Sequence, residues 1–126
     1  EYYKIELNHH PKDYKSAYNL AEDLRKTGQS QEAIRFYKAA MENNPRFNIP
    51  YFMIAKYYLD RKENLDEAIQ LCMKGTELKP LKKYTVLGYY ILSDIYSGNG
   101  EKIKSNTFFS KGESIKRDLI KKRQWD

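Results

Sequence analysis

The sequence predicts an all-α protein built as an array of paired helices, and three observations carry that expectation. A phrase recurs: Ser30–Pro45, SQEAIRFYKAAMENNP, returns as Leu65–Pro80, LDEAIQLCMKGTELKP, where Ala68, Leu71, Cys72 and Gly75 answer Ala33, Phe36, Tyr37 and Ala40. A weaker echo, KSNTFFSKG, puts Ser105, Phe108, Phe109 and Gly112 in the same places. The steps are regular: Ala33 to Ala68 and Pro45 to Pro80 are each 35 residues, and Ala68 to Ser105 is 37. Within each copy the i, i+3, i+4, i+7 spacing marks a helix with one apolar face, and a period of this size is that of stacked helix pairs.

Taken in order, Glu1–Leu7 followed by NHHPKD reads as the second half of an earlier repeat. Residues 1–11 are therefore expected to be the remnant of an upstream repeat or an N-terminal cap, with Tyr2, Tyr3, Ile5 and Leu7 covering that end. Asp13 is the expected N-cap of a helix from about Tyr14 to Thr27, and Gly28 its stop. Its apolar face is Ala17, Leu20, Ala21 and Leu24. Ser30–Asn43 is the partner helix, and Pro45 forbids its continuation. Asn48 caps the next helix with Pro50 in its first turn, and Tyr51, Ile54, Ala55 and Tyr58 form its stripe. The link Asp60–Asn64 lacks glycine; Asn64 and Glu67 are expected to make a capping box for a helix reaching about Lys79.

After Pro80 the basic connector LKKYT leads to Thr85 as the expected cap of a fifth helix, with Tyr89, Leu92, Ser93 and Tyr96 as its buried stripe. SGNG at Ser97–Gly100 breaks the chain. The last helix begins near Glu101, meets no proline and runs on. Ile115, Leu119, Ile120 and Trp125 give its extension an apolar edge, expected to fold over the exposed end of the array. The organisation is thus one domain, 1–126: repeat 1 at 14–47, repeat 2 at 48–82, repeat 3 at 86–119, and a C-terminal extension or cap at 113–126.

A chain of 126 residues buries one modest core. No apolar run approaches bilayer thickness and no signal-peptide pattern is present, so no membrane is expected and the cytoplasm is the default location. The missing initiator Met is what an excised fragment or processed chain would show. One cysteine cannot form an internal disulfide, and Cys72, in the place Tyr37 holds one copy earlier, reads as a small buried hydrophobe. His9 and His10 are adjacent and make a poor metal pair. There is no Gly-rich phosphate loop, G-x-S-x-G, H-E-x-x-H or Cys/His metal spacing. No catalysis, cofactor or metal is expected.

The recurring residues resemble the tetratricopeptide repeat, whose pattern runs W-x2-L-G-x2-Y, Gly, A-x3-F, Pro. Copy one supplies Ala17, Leu20, Ala21, Leu24, Gly28, Ala33, Tyr37, Ala40 and Pro45; copy two Tyr51, Ile54, Ala55, Tyr58, Ala68, Cys72, Gly75 and Pro80. Copy three supplies Tyr89, Leu92, Ser93, Tyr96, Gly100, Ser105, Phe109 and Gly112, without the closing proline. The resemblance implies a right-handed α-solenoid of about three helix–turn–helix repeats with flanking partial or capping helices. It also implies a non-catalytic adaptor or scaffold that binds a protein or peptide partner.

In such arrays the first helix of each pair lines an inner groove. The residues flanking the buried stripes are then the candidate peptide contacts: Tyr18, Asn19 and Glu22; Phe52, Met53 and Lys56; Tyr90, Ile91 and Asp94. Phe52, Met53, Tyr90 and Ile91 are apolar beyond the needs of helix pairing, and an apolar patch with a polar rim marks a binding surface. The alternative for Phe52, Met53 and Ile91 is packing, either beneath the last helix or because the register in copy two is shifted by one. Family members that clamp a C-terminal carboxylate use Lys, Arg and Asn on this face; here Tyr18, Glu22, Met53, Leu87 and Ile91 stand there, and Glu22 would repel the carboxylate.

A second functional reading rests on the basic block KRDLIKKR. Lys116, Lys121, Lys122 and Arg123 would bind RNA or another anionic partner, with Trp125 stacking on bases. Aromatic residues are not interleaved with this block, which argues against nucleic acid. Exposed terminal repeats would also allow self-association.

Overall fold

The computed structural model describes residues 14–78 and 82–125, of Lys82 the backbone alone. The expected remnant or cap at residues 1–11, the Asp13 cap and the closing Pro80 lie outside the described residues. Six helices account for most of the rest: α1 Tyr14–Lys26, α2 Ser30–Asn43, α3 Ile49–Arg61, α4 Leu65–Glu77, α5 Lys82–Gly98 and α6 Lys102–Lys121. There is no strand among the described residues. α1 pairs with α2, α3 with α4 and α5 with α6; the pairs stack through α2 on α3, α4 on α5 and α3 on α5. This is a helical-repeat solenoid.

The pairs close because small residues sit where their helices cross. Ala21 and Ala33, then Ala55 and Ala68, are fully buried in the first two pairs. In the third the same places hold Ser93 and Ser105, which satisfy each other: the hydroxyls lie 3.0 Å apart, and Ser105 Oγ also donates to the Ser93 carbonyl at 2.9 Å. A buried polar pair bonded in this way avoids the cost of an unmet donor, so serine is tolerated at the closest approach.

The first helix of every pair ends alike. Gly28, Lys62 and Gly100 each adopt positive φ (83°, 55° and 79°). The amide of each bonds back three residues and the next amide back five, to Arg25 and Leu24, Leu59 and Tyr58, Ser97 and Tyr96. This left-handed stop satisfies the last carbonyls of the helix and suits glycine, which lacks a Cβ to clash. In the second copy Lys62 takes the place of glycine. Arg123 (φ 57°) ends α6 by the same pair of bonds, to Ile120 and Leu119.

Three expected caps are corrected. Asn48 does precede α3, but its side chain caps nothing; its amide donates instead to the Leu78 carbonyl at 3.1 Å, tying the start of α3 to the end of α4. Asn64 precedes α4 in a left-handed conformation (φ 51°) and makes no side-chain cap bond, so the capping box with Glu67 does not form. α5 starts at Lys82 rather than after Thr85, because the connector contains neither glycine nor a second proline to stop a helix; Thr85 lies buried within its first turn. The extension of α6 buries Leu119, while Ile120 and Phe109 are each about half exposed.

Candidate functional site

A recess of about 480 Å³ opens between the first two repeats. Its floor is the inward edge of α2, Ala33, Ile34 and Tyr37, which follows from the same i, i+3, i+4 stripe that pairs α2 with α1. Met53, Lys56, Tyr57 and Asp60 of α3 form one wall, spaced to share a face of that helix; Arg25 of α1 faces them and Leu87 of α5 closes one end. The lining is apolar below and charged above.

The charges at the mouth are already paired. Arg25 meets Glu22 at 2.9 Å and Lys56 meets Asp60 at 2.6 Å, each one helical turn apart. Glu22 also accepts a hydrogen bond from the Tyr37 hydroxyl, which fixes the floor to the rim. Burial pushes the Glu22 carboxyl upward, but the hydrogen bonds from Arg25 and Tyr37 and the charges of Arg25 and Lys26 outweigh it, leaving the group below its ordinary value. Burial, reinforced by the bond to Glu22, drives the Tyr37 phenol well above its ordinary range. At neutral pH the site therefore presents a carboxylate and a neutral phenol, with no group poised to exchange a proton.

Of the nine residues expected to line a groove, Met53 and Lys56 line this recess. Glu22 braces its rim. Tyr18 packs its ring 6.1 Å from that of Tyr37 and edge-on to Phe47 at 5.2 Å, and burial raises its phenol to about 12. Asn19 and Asp94 are exposed outside the lining. Phe52 and Ile91 are corrected: they are 0% and 2% exposed, core rather than surface. The reason is that α3 packs against α2, α4 and α5, and α5 against α3, α4 and α6, so the buried arc of each is wider than the single stripe a pair requires. Tyr90 faces α6, where its hydroxyl donates to Glu113 and its ring lies 5.6 Å from Phe109. Sequence reasoning did not single out the floor residues or Tyr57 and Asp60, although the step of four and seven residues from Met53 was a usable signal.

The basic block occupies the end of α6. Lys122 pairs with Asp118 at 3.2 Å, while Lys121 and Arg123 are exposed. The chain reverses at Arg123 and brings the Trp125 ring within 5.2 Å of Lys116 Nζ and 5.8 Å of Lys83 Nζ. The two ammonium groups thus already engage the indole electrostatically.

Cys72 is fully enclosed, and burial raises its thiol to about 12, so it is a packed hydrophobe. Among the described residues no group of three or more His, Cys, Asp or Glu could hold a metal ion, and no helix is long and apolar enough to cross a membrane. Comparison with curated proteins gives no match. A family profile described as Tetratricopeptide repeat matches residues 14–47 and 50–80, the first two helix pairs with their connectors. With more than half its length matched, and with a third pair of the same build following, this chain belongs to the tetratricopeptide repeat family.

Proposed function

We propose that this protein is a non-catalytic adaptor that holds a peptide segment or partner helix in the recess between α1, α2 and α3. Tetratricopeptide repeats are in general protein–protein interaction modules and typically scaffolds rather than enzymes. The observation that carries the finer reading is the recess itself: Ile34, Met53 and Leu87 are apolar side chains left incompletely covered around a cavity of about 480 Å³. A large apolar side chain seated there gains about 1.5–3 kcal/mol by burial. The Lys56–Asp60 pair at the mouth is exposed and contributes about 1 kcal/mol or less, so a ligand can open it and re-pair with Lys56 at little cost, whereas Glu22 is held by both Arg25 and Tyr37. Two such apolar anchors supply about 3–6 kcal/mol before ordering costs are subtracted, which corresponds to a weak affinity of about millimolar.

The test is selection of short random peptides on the immobilised protein, followed by binding to Met53→Glu. A charge on the recess wall should weaken the selected peptide about tenfold or more while leaving the helical circular dichroism unchanged. Equal binding by Met53→Glu, or no enriched peptide at all, would refute the assignment.

A second reading, an anion-binding end, is favoured by one observation: residues 82–126 hold ten Lys and Arg against five Asp and Glu, which accounts for nearly all of the net +6. Titration with single-stranded RNA at two salt concentrations tests it; salt-steep binding supports it and none refutes it.

A further inference from the structure

Beside the recess lies a second hollow, of about 730 Å³, where the turn from α1 to α2 faces the end of α3. Ser30 and Tyr57 line both, so the two cavities adjoin along these side chains. Their linings differ. The recess has an apolar floor, whereas Gln31, Glu32, Arg35 and Arg61 line the hollow. Arg61 is held from two sides: its guanidinium carbon lies 5.4 Å from the centre of the Tyr57 ring, and its Nε donates to Glu63 at 3.0 Å. Its Nη1 and Nη2 make no hydrogen bond among the described residues. Arg35 donates from Nη1 to Glu32 at 3.1 Å. A guanidinium carries five N–H donors, so both arginines keep most of theirs. The carboxylates that line or border the two cavities, in contrast, each face a cation: Glu22 meets Arg25, Asp60 meets Lys56, Glu32 meets Arg35 and Glu63 meets Arg61. The charge still open to a ligand is positive, at the Nη edge of Arg61.

We propose that the segment whose apolar residue is anchored in the recess, as proposed above, is an acidic one: the side-chain carboxylate of a nearby Asp or Glu enters the hollow and is forked by Arg61, with Arg35 as its second partner. The paired Nη groups of a guanidinium match the two oxygens of a carboxylate, and an arginine already fixed by Tyr57 and Glu63 loses little freedom in making that contact. The helix sets the spacing. Met53, Tyr57 and Arg61 follow one another at steps of four along one face of α3, and the eight residues from Met53 to Arg61 rise about 12 Å. An extended chain at about 3.3 Å per residue covers that distance in about four residues. The partner chemistry is therefore an extended peptide with an apolar and an acidic residue about four places apart. A basic peptide is selected against, because it would have to take Glu32 or Glu63 from its arginine and meet the guanidinium left behind. Arg35 and Arg61 also stand apart from Glu22, Met53 and Leu87, the places where a clamp for a C-terminal carboxylate would put its cations.

The probes are capped nonapeptides of Gly and Ser carrying one Leu and one Glu four residues apart, in either order, with controls that carry Gln for Glu. They are titrated into the intact chain and followed by nuclear magnetic resonance at the Met53 methyl and the Arg61 Nε–H. The better Glu peptide should move both signals and bind about tenfold or more tightly than its Gln control. Arg61→Gln, at an exposed side chain whose loss leaves the helices intact, should erase that difference. Arg61→Lys should keep only part of it, since an ammonium cannot fork a carboxylate. Lys74→Gln removes the same charge from an exposed position on α4 outside both cavities and should leave the difference unchanged. If Glu and Gln peptides move the Met53 methyl with equal affinity, or the preference for Glu survives Arg61→Gln, the acidic segment is overturned and the recess stands as an apolar anchor site. If no peptide moves the Met53 methyl, both fall.

Discussion

Replacing Gly88 by alanine pits two effects of opposite sign against each other, and the structure decides between them. Within a helix, alanine is favoured over glycine by about 1 kcal/mol. The added methyl, however, would meet three atoms of the Phe52 ring, with Cδ1 and Cζ each at 2.9 Å and Cε1 nearer. The ring has no room to retreat, since it is fully buried and Gly75 backs it so closely that a Cβ there would stand 2.6 Å from Cε1. Overpacking of this kind costs about 1–3 kcal/mol, and with no direction of relief the upper part of that range applies. Gly88→Ala should therefore destabilise the chain by about 1–2 kcal/mol net. Gly98→Ala, at the end of the same helix with nothing within 4 Å, should be neutral or stabilising. In a Phe52→Leu background the penalty at Gly88 should largely vanish. Urea unfolding followed by far-ultraviolet circular dichroism on the four proteins of the cycle measures this. If Gly88→Ala stabilises the protein with Phe52 intact, or costs the same in both backgrounds, the packing of Phe52 against Gly75 and Gly88 is not what holds the second and third repeats together.

Three further outcomes follow from single side chains. Lys62→Gly, which restores glycine to the left-handed stop that Gly28 and Gly100 occupy, should raise stability by about 1 kcal/mol in the same urea assay; a loss would mean the lysine side chain contributes there. Glu22, whose folded pKa lies below the ordinary 4.5, contributes stability that is complete above that value and is lost as pH falls through the folded pKa. Glu22→Gln should cost about 1 kcal/mol at neutral pH and remove that share of the acid-side slope, seen in melts across the acid range. Cys72, its thiol raised to about 12, should react with iodoacetamide only as fast as the protein unfolds; rapid labelling of the folded chain would contradict its enclosure.

The repeat architecture was legible in the sequence because period and stripe are both local properties: every helix from α1 to α6 lies where a phrase of apolar spacing places it. The ends of helices were harder. Asn64 has the composition of a cap, yet its backbone is left-handed (φ 51°) and its side chain makes no cap bond; the same residue type suits both roles, so composition alone does not choose between them. The site was only partly legible for a different reason. A stripe identifies the face a helix turns to its pair, but α3 is buried against three neighbours, so Phe52 and Met53, adjacent in sequence, part company: one fills the junction with α5 and the other opens onto the recess. Which of two neighbours a flanking residue meets depends on how repeats stack, and the decisive residue for Phe52 is Gly88, 36 positions away.

The most direct measurement of the central claim is nuclear magnetic resonance of the protein, methyl-labelled at Ile, Leu and Met, bound to a peptide selected on it. Contacts between the peptide and the methyl groups of Ile34, Met53 and Leu87 are the predicted result. Contacts confined to Ile103, Ile120 or the basic end of α6, with those three methyls unmoved, would contradict the recess as the binding site.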